Sequence, residues 1–255
     1  MPNKNFIIAG LAGFLIAAAL FVISLEAPSS QKQEIWNWIK TVERADFKEY
    51  IESNGINLRY EDDATLLHLA VYSKREDLIR ILLMKGANPN KLDQYFGDSP
   101  LKSAVYLSDE IFELLLKAGA DPNLRRNQRA TPLMSAALRG EKRKVELLVE
   151  YGADLDLKDE RGSSAIFYAV GINREEIIGY LIDEGADLNF INAEGRSVLG
   201  KVLVHGHLKT LECICSKENG LISRAVYGRF FEKLSMNHLT PDQIKVLQLC
   251  GSKTL

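Results

Sequence analysis

The hydrophobic positions between about residues 62 and 220 follow one recurring order: a short apolar helical stretch, a turn, a second apolar helical stretch and a polar segment. The stretch 131–156 shows this order most clearly. Residues 133–138 predict a first helix, and residues 145–149 supply the buried stripe of a second, because apolar side chains at helical spacing share one face. Each unit is therefore predicted to be a helical hairpin followed by an extended finger.

The residues at the predicted helix ends suit those positions. Thr131 is a good N-cap, and Pro132 fits the first helical position because it has a fixed φ and no N–H. Gly140 breaks the first helix. Gly152 follows the second helix, where glycine easily adopts the left-handed conformation that ends a helix.

Two short phrases repeat with a common period. The first contains Gly-Ala, and its glycines recur every 33 residues, at Gly86, Gly119, Gly152 and Gly185. The second opens the first helix of each unit and begins at Thr65, Ser99, Thr131, Ser164 and Ser197. A fixed period of this length is typical of stacked-repeat proteins, in which each unit buries its apolar residues against its neighbours.

These phrases resemble the ankyrin repeat over about residues 45 to 218. The resemblance implies an all-α solenoid of helix-turn-helix units with finger loops. We expect a divergent N-terminal capping repeat over 34–61, repeats over 62–220 and a C-terminal helical cap over 221–255. His68 occupies the histidine position of the repeat phrase, where we expect it to bond the backbone of a neighbouring finger. Asp121, Asp154 and Asp187 are expected to bond nearby backbone N–H groups rather than to form a functional row.

The second full repeat departs from this regularity. The distance from Leu101 to Gly119 is 18 residues, whereas the flanking repeats give 19, so its helical part is shorter. Its finger, residues 91–97, is longer. Local geometry in this repeat is therefore expected to differ while the stack continues.

An uncharged apolar run begins at Phe6 and ends at Leu25, after a five-residue N-terminal tail, 1–5. At about 1.5 Å per helical residue it is long enough to span the hydrocarbon core of a bilayer. A cleaved signal peptide is the alternative, but Pro28 after Ala27 makes a poor cleavage site. We expect an uncleaved single-pass transmembrane anchor, a linker over 26–33 and repeats on the extracytoplasmic (periplasmic) side.

Composition and charge narrow the function. The chain is 46% hydrophobic, and a formal net charge of −2 gives no reason to expect nucleic acid as a partner. Cys213, Cys215 and Cys250 form neither a disulfide framework nor a metal motif, and they do not identify a redox compartment. No catalytic, phosphate-binding or metal-binding motif is present, so we expect no enzyme activity, no cofactor and no small-molecule substrate.

In ankyrin-like proteins the fingertips and the inner ends of the first helices bind other proteins. The resemblance places nine residues of this chain on such a concave surface: Tyr72, Tyr95, Phe96, Tyr106, Leu107, Leu138, Arg139, Arg161 and Ile172. The matching positions of the last repeat are Ala193, Glu194, Arg196, Val204 and His205. Apolar and aromatic anchors beside arginine are what protein interfaces favour. Tyr95, Phe96 and Tyr106 in particular are expected to be exposed.

We therefore expect a membrane-anchored module that binds a partner protein, as a scaffold or as an inhibitor or immunity-like protein. A self-assembling structural membrane protein is the alternative, and an enzyme with an unrecognised site is a third.

Overall fold

The computed structural model describes residues 29–58, 64–94, 97–125, 129–205 and 207–216, together with Thr240 and Ile244. All regular structure in these ranges is helical, and an isolated antiparallel bridge joins Ile191 and Ser197. This confirms the predicted all-α fold for the described part of the chain. The chain divides into two compact units, Met1–Asp121 and Pro122–Leu255, called unit 1 and unit 2 below.

The described residues of unit 1 form three helical hairpins. Their helices are α1 (Ser29–Thr41), α2 (Arg44–Asn54), α3 (Leu66–Tyr72), α4 (Glu76–Met84), α5 (Pro100–Ser103), which continues as a 3₁₀ turn (Ala104–Tyr106), and α6 (Asp109–Lys117). The first helices α1, α3 and α5 pack side by side, and so do the second helices α2, α4 and α6. Phe47, Leu78 and Phe112 are completely buried among them.

Unit 2 repeats the same arrangement. Its helices are α7 (Pro132–Arg139), α8 (Lys142–Glu150), α9 (Ala165–Gly171), α10 (Glu175–Asp183), α11 (Val198–Val204) and α12 (Leu208–Ser216). The first helices α7, α9 and α11 form one layer, and the second helices α8, α10 and α12 form the other. Each hairpin covers the apolar face of the next, which is how a stacked-repeat protein acquires a continuous core.

The predicted helix caps are present in the α7–α8 hairpin. The side-chain oxygen of Thr131 accepts a hydrogen bond from the backbone N–H of Met134 at 3.2 Å, and Pro132 occupies the first helical position. Gly140 ends α7 with a φ of +81°, and Gly152 follows α8 with a φ of +85°. Both values lie in the left-handed region that favours glycine. The two glycines therefore fix where each helix stops.

Asparagine and aspartate side chains connect successive fingers. The side-chain oxygens of Asn57, Asn90, Asn123 and Asp156 each accept a hydrogen bond from a backbone N–H of the next repeat, 31 residues further on. Within the next turn, the carboxylates of Asp154 and Asp187 each accept a bond from the backbone N–H two residues later. The expectation that these aspartates bond nearby backbone is thus confirmed for Asp154 and Asp187.

In this series, Asp156 can form fewer hydrogen bonds than the asparagines at the equivalent positions. Asn90 and Asn123 also donate their amide N–H to the carbonyls of Gly119 and Gly152, at 2.8 and 3.0 Å. Asp156 lacks that donor, because an ionised carboxylate only accepts hydrogen bonds. We therefore expect D156N to raise the free energy of unfolding by about 0.5–1 kcal/mol, the usual net value of one added hydrogen bond. Urea unfolding followed by circular dichroism measures it.

The reverse substitution N123D is the matched control, because it removes the same donor from the preceding repeat. It is expected to lower the free energy of unfolding by a similar amount. Equal and negligible effects of D156N and N123D would show that the side-chain amide donors contribute nothing to the stability of unit 2.

In the ranges that the structure describes, no helix is long and apolar enough to cross a membrane. The predicted anchor, residues 6–25, lies outside those ranges. The predicted C-terminal cap also lies outside them except for Thr240 and Ile244, where the Ile244 N–H donates to the Thr240 carbonyl at 3.0 Å.

Candidate protein-binding surface

The first candidate residue, Tyr72, is anchored by its hydroxyl group. The side chain is half-buried at the end of α3, and its hydroxyl donates to Asp93 Oδ2 at 2.6 Å. Burial, followed by the hydrogen bond to Asp93, raises the pKa of Tyr72, so the phenol stays protonated. Asp93 is itself buried and accepts a second bond from the Asp98 N–H at 3.2 Å. Tyr72 therefore holds the base of the second finger.

His68 is a buried structural residue, as expected. Its Nδ1 accepts a hydrogen bond from the backbone N–H of Thr65 at 3.1 Å, which places the ring proton on Nε2. Nε2 lies 3.3 Å from the carbonyl oxygen of Asp98, in the finger of the next repeat. The imidazole thus joins the start of α3 to that finger, and burial lowers its pKa.

Stability is expected to depend on pH through His68. Because its pKa is lower in the folded chain than the ordinary value of about 6.5, the unfolded chain binds the extra proton first. The free energy of unfolding is therefore expected to fall as the pH is lowered from about 7 to 5. H68Q, which does not titrate, is expected to reduce this slope in urea unfolding. If the free energy of unfolding of H68Q depended on pH as strongly as that of the wild type, His68 would not be the source of the pH dependence. His207, whose pKa burial also lowers, keeps its own contribution in both proteins.

The remaining candidates of unit 1 differ in exposure. Tyr106 is 60% exposed, as expected. Leu107 is buried, at 9% exposure, which differs from its expected position on the surface. The second repeat has one residue fewer between its helices, so a 3₁₀ turn replaces the end of the first helix and Leu107 turns inward. Tyr95 and Phe96 lie outside the described residues.

In unit 2, apolar side chains are exposed at the inner ends of three neighbouring first helices. Leu138 is 45% exposed near the end of α7, Ile172 is 38% exposed just after α9, and Val204 is 79% exposed at the end of α11. Because α7, α9 and α11 lie side by side, these side chains occur once per repeat along one edge. We call them the apolar row.

Two buried polar residues build the fingers beside the apolar row. Asp159 Oδ1 accepts hydrogen bonds from the backbone N–H groups of Arg161 and Ser163, at 3.0 and 2.8 Å. Its Oδ2 accepts the Tyr168 hydroxyl at 2.5 Å. Burial, followed by this bond, raises the pKa of Tyr168 to about 12, so the phenol remains a donor at neutral pH. Asp159 therefore fixes the turn that carries Arg161.

Asn192 has the same role one repeat later. Its Oδ1 accepts from the backbone N–H groups of Glu194 and Arg196, at 3.1 and 2.9 Å. The two fingertips are joined directly, because the Ala193 N–H donates to the Arg161 carbonyl at 2.8 Å. Sequence reasoning did not select Asp159 or Asn192 as organising residues, although their 33-residue spacing was a usable signal. We call the two fingers, 157–164 and 190–197, together with the apolar row the finger face of unit 2.

A family model described as "Ankyrin repeats (3 copies)" matches the chain four times, at residues 42–126, 67–159, 110–192 and 133–224. Together these matches cover residues 42–224, more than half of the 255 residues. The chain belongs to the ankyrin-repeat family. A comparison with curated proteins gives no match. Ankyrin repeats generally serve as protein–protein interaction modules.

Cationic side chains bond backbone carbonyls of the preceding first helix in these ankyrin repeats, at the C-terminal end of α7 and within α9. The Arg139 carbonyl, at the end of α7, accepts a hydrogen bond from Arg174 Nη2 at 3.2 Å. The Phe167 carbonyl, in α9, accepts from Lys201 Nζ at 2.9 Å. Cations are favourable at helix C-termini because the last carbonyls carry partial negative charge. The exposed guanidinium of Arg139 forms an ion pair with Glu141, at 3.7 Å.

The histidines of the last repeat stack on each other. The rings of His205 and His207 are 5.5 Å apart and 12° from parallel. Among the side chains that the structure describes, no group of three histidine, cysteine, aspartate or glutamate residues is placed to hold a metal ion. The polar side chains described above for these ankyrin repeats thus cap helices, hold the turns of the fingers or carry charge at the surface.

Proposed function

We propose that this chain is a non-enzymatic, membrane-anchored ankyrin-repeat protein that binds a partner protein through the finger face of unit 2. The main support is the apolar row Leu138, Ile172 and Val204, which is exposed at the ends of packed helices. Exposed apolar side chains grouped on a rigid surface are typical of binding sites. Arg139 and Arg161 beside the row supply the cationic side chains that interfaces favour. Membership of the ankyrin-repeat family supports the same function.

In unit 1, taken by itself, the residues proposed to contact a partner are Tyr106, and Tyr95 and Phe96 of the longer finger as the sequence predicts. Tyr72 supports the surface by holding Asp93, and Leu107 supports it from inside the repeat. The residues that contact the partner in unit 1 are thus proposed to be aromatic, whereas those in unit 2 are aliphatic and cationic.

The membrane anchor is proposed from the uncharged run 6–25, with the repeats on the extracytoplasmic side. The full chain is expected to stay in the membrane pellet after alkaline carbonate extraction, and a chain that begins at residue 31 is expected to be released. Cysteine labelling of intact cells with a membrane-impermeant maleimide tests the orientation at an engineered Glu212→Cys, in a chain whose three native cysteines are replaced by serine. Release of both chains by carbonate would contradict the anchor.

A narrower role is proposed within this function: the repeats hold a harmful or unregulated enzyme inactive at the membrane, as an inhibitor or immunity-like protein does. This role predicts that the partner enzyme is active alone and loses activity when the full chain is added in equal amount. A partner that is neither enzyme nor toxin would favour the scaffold role instead.

Site-specific photocrosslinking tests the proposed surface. A photoreactive amino acid placed at Ile172 is expected to form an adduct with another protein in intact cells. Tyr151 is the matched control, because it has the same 38% exposure but follows a second helix, α8. An adduct formed from Tyr151 and not from Ile172 would contradict the proposal. An adduct whose mass is twice that of the chain would instead support the self-assembling alternative.

A further inference from the structure

Charge is distributed unevenly between the two sides of unit 2. The described residues of the fingers and first helices, in 124–139, 157–171 and 190–204, include seven lysines and arginines but three aspartates and glutamates. The second helices and their turns, 140–156, 172–189 and 205–216, include five lysines and arginines but eleven aspartates and glutamates. Although the net charge of the chain is near zero, the described residues of unit 2 are mainly basic on the side of the fingers and first helices and mainly acidic on the side of the second helices.

The positive charge lies at the fingertips. Arg129, Lys158, Arg161 and Arg196 are all exposed. Of the three acidic residues on this side, Asp159 is buried and bonded to Tyr168, so it contributes little surface charge of its own. The surface that carries the apolar row is therefore positively charged on balance.

We propose that the finger face of unit 2 binds an acidic polypeptide segment that also carries aliphatic or aromatic side chains. This inference rests on the proposed function and specifies the chemistry of its partner. The acidic side chains of the segment would lie against Arg161 and Arg196, and its apolar side chains would cover Leu138 and Ile172. Complementary charge selects the partner and speeds association, while burial of apolar area supplies most of the affinity.

A polypeptide fits this surface better than a nucleic acid does. The side chains of the apolar row offer a phosphate backbone no hydrogen-bond donors. Glu160 and Glu194 also stand beside the arginines at the fingertips, and the Glu194 carboxylate lies 2.9 Å from the guanidinium of Arg196. Phosphates bind best where lysine and arginine line a continuous path. Carboxylates interspersed with cations are ordinary for a protein interface.

Selection from a displayed library of random peptides on the purified full chain tests the inference. The selected peptides are expected to have a negative net charge and to contain leucine, isoleucine or an aromatic residue. Their affinity is expected to fall about tenfold in the double variant R161E/R196E and to weaken as salt is raised to about 1 M. The control is R143E/K209E, which makes the same charge change on the second helices and is expected to leave the affinity unchanged.

Peptides that are neutral or basic but still crosslink to Ile172 would overturn the acidic partner and leave the proposed function standing. Peptides that bind R161E/R196E as well as they bind the wild type would also overturn the acidic partner and leave the proposed function standing. Peptides that never crosslink to Ile172 would overturn the proposed function together with this inference. Retention of random-sequence RNA, or of vesicles of phosphatidylglycerol, by the wild type and not by R161E/R196E would also overturn the polypeptide as occupant.

Discussion

Replacing Asp159 by alanine is expected to lower the free energy of unfolding by about 3 kcal/mol. The carboxylate is buried and accepts three hydrogen bonds, from the N–H groups of Arg161 and Ser163 and from the hydroxyl of Tyr168. Alanine would leave these three donors without their acceptor, and the Ser163 N–H among them is buried, where an unpaired donor is costly. The fingertip that carries Arg161 would lose its turn, so partner binding is expected to weaken as well.

The conservative change D159N is the matched control. It keeps the oxygen that caps the turn, and the next repeat already uses an asparagine, Asn192, in this way. Its amide can donate to the Tyr168 hydroxyl, so we expect a loss of about 1 kcal/mol. Urea unfolding of the wild type and both variants measures the difference. Losses below about 0.5 kcal/mol for D159A would contradict the role assigned to Asp159.

Exchanging Leu138 and Ile172 together for glutamine is expected to weaken partner binding about a hundredfold, or about 3 kcal/mol. Leu138 is 45% exposed and Ile172 is 38% exposed in the free chain, so each keeps apolar area that a partner can cover. Their contribution arises when a partner covers them and removes their apolar area from water. Glutamine leaves the charge of the surface unchanged, which separates this effect from that of the arginines.

The control variant replaces Met84 and Tyr151, two exposed apolar residues at the ends of second helices, by glutamine. It is expected to bind the partner as the wild type does. Affinity is measured by titration of the crosslinked partner, once purified, against each full chain. Equal affinity of L138Q/I172Q and the wild type would remove the apolar row from the binding surface.

The repeat architecture could be predicted because its determinants are local and periodic. Thr131 caps its helix through its own side chain, and Gly152 adopts a positive φ that other residues avoid. His68 reaches the next finger through a position that the repeat phrase fixes. Each of these contacts lies within one repeat or between neighbouring repeats, so the 33-residue period already implies it.

The binding surface was less predictable because exposure depends on single-residue changes in spacing. Leu107 occupies a position that is exposed in unit 2, at Ile172, but the missing residue in the second repeat turns it inward. Asp159 and Asn192 were missed for another reason. Their function is to bond backbone N–H groups inside a finger, and their 33-residue spacing, although visible in the sequence, does not by itself show that the two side chains are buried.

Hydrogen–deuterium exchange of the full chain, free and bound to the partner crosslinked at Ile172, tests most directly whether the finger face of unit 2 is the binding surface. Partner binding is expected to slow exchange in the fingers 157–164 and 190–197 and at the ends of α7 and α9, and to leave α8 and α10 unchanged. Slower exchange confined to α8 and α10, with unchanged exchange in the fingers, would contradict the assignment of the binding surface to the finger face of unit 2.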